Sequence, residues 1–217
     1  MRKLALGFLC IILWSACKFN SADKKALPIY GNRKVVSKMV EGRAVPDTVY
    51  NTVPDFKTVN QYGDSISNKS LNGNIYIADF FFTTCPSICP IMHRNMLNVY
   101  NEFKSTGGIK IISYTIDPKH DSVAVMKKYA DKLGVTGNTW WFLQGKKDSI
   151  YKLSQNYLVR KPEEDAKELF IHDGSFLIVD KQKRVRGAYD GTDPKQVEQM
   201  IADVKELQQE PDQVGTK

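Results

Sequence analysis

The chain has 217 residues, of which 42% are hydrophobic and 25% are charged. These values are typical of a soluble globular domain, and a chain of this length can bury a core without structural disulfides or metals. The formal net charge of +7 is spread along the sequence and forms no basic run interleaved with aromatic residues. This distribution argues against nucleic acid as a partner.

The first 16 residues have the pattern of a bacterial export signal. A basic start precedes an apolar run at 4–14, and a Ser-Ala pair stands directly before Cys17. The run is too short for a transmembrane helix, which needs about 20 apolar residues. Because small residues before a cysteine resemble a lipobox, we predict that residues 1–16 are a lipoprotein signal peptide and that Cys17 is lipidated. The alternative is an ordinary signal peptide in which Cys17 has no role.

The remaining chain divides into three segments. Residues 17–45 are polar and lack sustained periodicity, so we predict a lipid anchor and a flexible tether. Residues 46–209 carry alternating strand and helix patterns and are predicted to form one domain. Residues 210–217 are predicted to be a disordered tail. The predicted protein is therefore exported, faces the periplasm and is anchored to a membrane by lipid.

Strands and helices alternate within the predicted domain. In chain order they are a hairpin at 53–59 and 65–67, a strand at 74–82, a helix at 86–104, a strand at 109–116, a helix at 121–133 with Asp121 as its N-cap, a strand at 139–143, a helix at 147–157, a hairpin at 176–180 and 184–189, and a helix from Pro194 to 208 capped by Asp193. This order predicts an α/β domain whose central mixed sheet is flanked by helices, with an N-terminal β-hairpin extension.

Cys85 and Cys89 lie where the most apolar strand meets a helix. Side chains four apart on a helix have Cβ atoms about 5–6 Å apart, whereas a disulfide needs about 3.5–4.5 Å. A disulfide would therefore need a loosened first turn, while two thiolates could bind one soft metal ion without strain. The spacing allows both redox and metal chemistry and favours metal.

The position of the pair also predicts unequal acidity. A helix N-terminus carries about half a positive charge, which favours a thiolate over a thiol. Cys85 is nearer this end and is predicted to be the more acidic cysteine. Pro90, five residues into the predicted helix, is expected to kink or loosen the turn that holds both sulfurs.

Paired cysteines at the first strand-to-helix junction resemble the thioredoxin-like plan, and four motifs narrow this to one family. They are CPSICP at 85–90, TIDP at 115–118, WFLQG at 141–145 and a lone His172 before a late strand. Together they resemble the Sco/SenC family, whose members are membrane-anchored, thioredoxin-fold copper proteins linked to cytochrome c oxidase assembly. The resemblance covers roughly residues 46–205.

The resemblance implies a copper site formed by Cys85, Cys89 and His172. Two soft thiolates suit Cu(I), and an added imidazole allows either copper oxidation state. It also implies a metallochaperone that receives copper from an upstream donor and delivers it to cytochrome c oxidase subunit II. Asp117 either hydrogen-bonds the ligand histidine or only forms a turn.

The other two histidines have simpler interpretations. His93 shares the helical face of the cysteines and is either a packed helix histidine or a further metal ligand. His120 is predicted to be solvated surface.

Two enzymatic alternatives use the same cysteines. A thiol–disulfide oxidoreductase would use Cys85 and Cys89 as a redox-active pair that reduces the cysteines of the oxidase copper site. Thioredoxin-type oxidoreductases place a cis-proline opposite the cysteines, and residues 169–176 contain no proline. A thiol peroxidase is suggested by VPDF at 53–56. Peroxidases, however, need a hydroxyl three residues before the reactive cysteine, and for Cys85 that position is occupied by Phe82, which has no hydroxyl.

Overall fold

The computed structural model describes residues 26–157 and 174–211. The strands are β1 (Arg33–Val40), β2 (Arg43–Tyr50), β3 (Lys57–Asn60), β4 (Ser65–Ser67), β5 (Ile75–Phe81), β6 (Ile109–Thr115), β7 (Trp140–Gln144), β8 (Ser175–Val179) and β9 (Val185–Asp190). The helices are α1 (Ile88–Phe103), α2 (Val123–Leu133), α3 (Lys147–Tyr157) and α4 (Pro194–Gln209), and a 3₁₀ turn covers Asn68–Leu71. Every strand and helix predicted from residue 53 onward is present, with boundaries shifted by a few residues.

Seven strands form one mixed sheet in the order β4-β3-β7-β6-β5-β8-β9. β5 pairs in parallel with β6, and β6 with β7, while the outer pairs are antiparallel. Side chains of α1, α2 and α4 fill one face of the sheet, and those of α3 fill the other. The structure thus confirms the predicted central mixed sheet flanked by helices.

The predicted N-terminal β-hairpin extension is confirmed, and it begins within the residues predicted to be a tether. β1 and β2 pair with each other in an antiparallel hairpin, and neither strand joins the seven-stranded sheet. The predicted boundary between tether and domain, at residues 45 and 46, therefore falls inside β2. Most hairpin residues are exposed on both faces, so their sequence carries no alternation between buried and exposed positions.

The start of α2 also differs. Its N-cap is Ser122, whose hydroxyl accepts a hydrogen bond from the Val125 amide at 3.4 Å, and not Asp121. Asp121 is fully buried and binds elsewhere. At α4 the prediction is confirmed, because Asp193 accepts from the Lys195 amide at 2.9 Å and Pro194 opens the helix. None of the helices within 26–157 and 174–211 is long and apolar enough to cross a membrane.

Candidate functional site

The two cysteines lie at the carboxyl end of β5, in the centre of the sheet. Helix α1 begins at Ile88, two residues later than predicted, so Cys85 lies in the connecting loop and Cys89 is the second helical residue. Pro90 is consequently the third helical residue. The expectation that it kinks the helix is wrong, because the first amides of a helix have no intrahelical acceptor and a proline there removes no hydrogen bond.

Both cysteines are free thiols, and their pKa values move in opposite directions. Burial opposes ionisation of Cys85, but hydrogen bonds from Cys89 and Ser87 outweigh it and lower the pKa of Cys85. Burial raises the pKa of Cys89 to about 12, and the hydrogen bond to Cys85 adds to the increase. Cys85 is 8% exposed and Cys89 3%. The predicted order of acidity is thus supported.

This asymmetry predicts selective alkylation. Only the thiolate reacts, so near neutral pH iodoacetamide should modify Cys85 much faster than Cys89. Raising the pH toward the Cys85 pKa should accelerate its reaction, while Cys89 stays protonated until about pH 12. Peptide mass spectrometry of the wild type, with Cys85→Ser and Cys89→Ser as matched controls, measures both rates. Equal alkylation rates at the two cysteines would contradict the lowered pKa of Cys85 and the raised pKa of Cys89.

A buried carboxylate fixes the loop that carries Cys85. Asp121 accepts hydrogen bonds from the Thr83 amide at 3.1 Å, from the Thr83 hydroxyl, and from the Thr115 hydroxyl at 2.5 Å. Thr115 ends β6 and Thr83 lies two residues before Cys85. Asp121 therefore links the cysteine loop to the adjacent strand. The prediction that Asp121 caps α2 did not include this role.

A polar network, fully buried except at Tyr129, lies on the same face of β5 as α1. The Asp79 carboxylate is 3.1 Å from His93 Nε2 and accepts from the Ser113 hydroxyl, which in turn accepts from the Trp140 indole. His93 Nδ1 is 2.8 Å from the Tyr129 hydroxyl. Both ring nitrogens of His93 have protein partners, which supports the packed histidine over the metal ligand.

This network borders the cysteines. Burial raises the pKa of Tyr129, and its side chain packs against the buried cluster that contains Cys85 and Cys89. The sequence did contain a signal for the network: Asp79 is the only charged residue in the apolar run 75–82. No comparable signal marks Asp121, whose partner Thr83 lies 38 residues away in the sequence.

The remaining predicted site residues have different outcomes. His172 and Cys17 lie outside the described residues. Asp117 forms a turn, since its carbonyl accepts from the amides of His120 and Asp121, while a role for its carboxylate stays a prediction. Among residues 26–157 and 174–211, no three His, Cys, Asp or Glu side chains are grouped as a metal site.

Gly174, the first described residue after position 157, lies beside α1. A Cβ atom built on Gly174 would lie 3.7 Å from Ile88 Cδ1 and from Met92 Sδ. The Gly174 carbonyl accepts from the Gly191 amide at 2.8 Å, and Asn95 of α1 donates to the Gly191 carbonyl at 2.8 Å. These bonds fix Gly174 next to the first turns of the helix that carries Cys89.

Comparison with known proteins decides the family. The model of the SCO1/SenC family matches residues 45–209. This chain belongs to the SCO1/SenC family. A SCO1 protein homolog of Bacillus subtilis is 32% identical over 169 residues, which cover 76% of this chain and 86% of the relative.

Solved structures of the family share the fold, which is thioredoxin-like. BsSco, a Sco-family cytochrome c oxidase assembly protein with a disulfide switch, superposes with a TM-score of 0.61 at 31% identity, covering 72% of this chain and 93% of that chain. A SCO1/SenC lipoprotein of Bacillus anthracis gives 0.63 at 30% identity, covering 73% and 96%. Yeast Sco1, solved with copper bound, gives 0.55 at 25% identity, covering 71% and 93%.

Proposed function

We propose that this protein is a metallochaperone that carries one copper ion and delivers it to the binuclear copper site of cytochrome c oxidase subunit II. The observation that carries the proposal is the reduced, buried Cys85–Cys89 pair at the strand-to-helix junction of a SCO1/SenC chain. Soft thiolates favour Cu(I) over harder cations. A Sco-family relative solved with copper bound supports the same cargo.

Cys85, Cys89 and His172 are the proposed copper ligands. Gly174 lies against Ile88 and Met92 of α1, and His172 precedes it by two residues. Two residues span at most about 7 Å, and this short link to Gly174 supports the proposal that His172 is the third ligand. Asp117 follows β6 near the Thr115–Asp121 anchor and is the proposed partner that orients the ligand histidine.

Copper binding by the two thiols is reversible. Each cysteine must lose its proton to bind, so the ion competes with protons and with disulfide formation. Oxidation of the pair to a Cys85–Cys89 disulfide removes both thiolate ligands. The reduced protein is therefore the form that accepts copper from an upstream donor and passes it on.

Anchoring completes the proposal. Residues 1–16 are removed on export, Cys17 carries lipid, and the copper-binding domain faces the periplasm. The Bacillus anthracis family member that is a lipoprotein supports this arrangement.

A thiol–disulfide reductase is the second candidate, favoured by the opposite pKa shifts of the two cysteines. A Cys85 thiolate would attack the disulfide of the acceptor copper site and form a mixed disulfide. Cys89, after losing its proton, would then displace the acceptor sulfur. The products are a Cys85–Cys89 disulfide and an acceptor dithiol, so two electrons and two protons reach the acceptor.

One experiment separates the two candidates. The copper-loaded protein is mixed anaerobically with the soluble domain of subunit II, once with its cysteines reduced and once as a disulfide. Delivery predicts that the reduced acceptor gains copper. The copper-free protein would, as a reductase, convert the oxidised acceptor to a dithiol with stoichiometric formation of the Cys85–Cys89 disulfide. Copper that stays on the donor, together with reduction of the acceptor, would replace delivery by the reductase function.

A further inference from the structure

The β1–β2 hairpin exposes an unusual amount of apolar surface. Val35 is 72% exposed, Met39 66% and Val49 52%, and the two strands pair with no other strand of the described chain. A two-stranded hairpin without a packed face is only marginally stable in water. Contiguous exposed apolar surface on a soluble domain marks an interaction site.

Val35 and Met39 lie on one face of the hairpin, while the other face combines exposed valines with positive charge. Cross-strand partners and alternate residues share a face, which the register assigns directly. The valine–lysine face consists of Lys34, Val36, Lys38 and Val40 on β1 with Arg43, Val45, Asp47 and Val49 on β2. Its four valines are all at least 38% exposed. Three basic residues against one acidic residue give this face a net positive charge.

The hairpin is attached at the end of the sheet opposite the cysteines. The Arg184 guanidinium lies 5.9 Å from the Tyr50 ring, and the Tyr30 amide donates to the Val185 carbonyl at 2.9 Å. These β8–β9 residues are near the start of β5, while Cys85 follows its end. Seven residues of β5 span about 20 Å. The hairpin and the cysteines are therefore separated by the length of the central strand.

The N-terminal segment enters at this same end. Arg186 Nη2 donates to the Leu27 carbonyl at 2.6 Å and to both carboxylate oxygens of Glu210, at 2.8 and 2.9 Å. Glu210 in turn accepts from the Leu27 amide at 3.1 Å. Arg186 is only 2% exposed, so the contact is built into the fold. Ten residues separate Leu27 from Cys17, a reach of at most about 35 Å.

We propose that the valine–lysine face docks onto an anionic phospholipid bilayer. Its valines would enter the interface while its basic residues neutralise lipid phosphates, and each basic residue near such a surface strengthens binding roughly fivefold. This proposal depends on the proposed lipid anchor in one respect only, because the anchor would bring the face close to the membrane. Docking by this face turns the cysteine end of the domain away from the bilayer, toward the soluble part of a membrane-bound acceptor.

Vesicle binding by the chain that starts at residue 18 tests the proposal, because this chain lacks Cys17 and its lipid. It should sediment with vesicles of phosphatidylglycerol and phosphatidylcholine and not with phosphatidylcholine alone. Lys34→Glu with Lys38→Glu should weaken binding by at least about 25-fold. Val36→Ser with Val40→Ser should also weaken it without changing the net charge.

The matched control reverses two exposed lysines elsewhere, Lys128→Glu on α2 with Lys152→Glu on α3. It should bind nearly as well as the wild type, because exposed charges farther from the surface than about 8 Å are screened. Equal binding to both vesicle types, or equal losses in both charge-reversed variants, would overturn the proposal. A concentration-dependent dimer that the valine substitutions abolish would assign the face to a second copy of the chain. No copper is present, so the result is independent of the metallochaperone proposal.

Discussion

Replacing Asp79 by alanine should lower the free energy of unfolding by about 2–6 kcal/mol, because it leaves two buried groups unsatisfied and each such group costs about 1–3 kcal/mol. Asp79 and His93 are both fully buried, with Oδ2 and Nε2 3.1 Å apart. The substitution leaves His93 Nε2 without an acceptor and deprives the Ser113 hydroxyl of its partner. His93→Ala should have a comparable cost, since it leaves the Asp79 carboxylate buried with fewer donors. Urea unfolding followed by circular dichroism measures both.

An exposed ion pair provides the control. Lys127 and Asp131 also form an ion pair, but their side chains are 42% and 53% exposed. Lys127→Ala should therefore cost less than about 1 kcal/mol. The double variant Asp79→Val with His93→Phe should lower the free energy of unfolding by less than the sum of the single changes. Replacing both partners by apolar side chains leaves neither the carboxylate nor the imidazole buried without its partner. Additive costs, or an Asp79→Ala cost as small as that of the control, would show that the network does not stabilise the fold.

Replacing His172 by alanine should weaken copper binding by more than roughly 100-fold, the upper end of the loss caused by removing a group that only orients a ligand. Cys85→Ser and Cys89→Ser should each abolish tight binding, because a hydroxyl is a poor ligand for a soft ion. Competition with a Cu(I) chelator under anaerobic conditions measures each affinity. The unfolding free energy of His172→Ala should stay close to that of the wild type in the absence of copper.

His120→Ala is the matched control for His172→Ala. His120 is exposed and follows the turn at Asp117, so its loss should not change copper affinity. Equal affinities of the His172 and His120 variants would remove His172 from the site and favour the reductase function, which needs only the two cysteines.

Residues from 53 onward could be predicted well because their patterns reflect a buried sheet. The run 75–82 is almost wholly apolar, as a strand covered by helices on both faces must be. Glycine and proline then mark where elements end, as Gly134 does in a left-handed conformation after α2. These local signals explain why the order of the strands and helices along the chain and the position of the cysteines followed from the sequence.

The missed features depend on contacts that local patterns do not encode. The bounds of the β1–β2 hairpin could not be predicted, because its residues are exposed on both faces and show no alternation of buried and exposed positions. Asp121 binds Thr83 across 38 residues of sequence, whereas a cap depends only on near neighbours. The predicted bend at Pro90 failed for a smaller reason, because moving the helix start by two residues places this proline where no amide is needed.

The most direct test of the copper site is X-ray absorption spectroscopy of the reduced chain from residue 18, loaded anaerobically with one equivalent of Cu(I). The account predicts one tightly held copper per chain, coordinated by two sulfurs and one imidazole nitrogen, with the nitrogen lost in His172→Ala. Copper that is held weakly, or without sulfur ligands, would contradict the proposed Cys85–Cys89–His172 site.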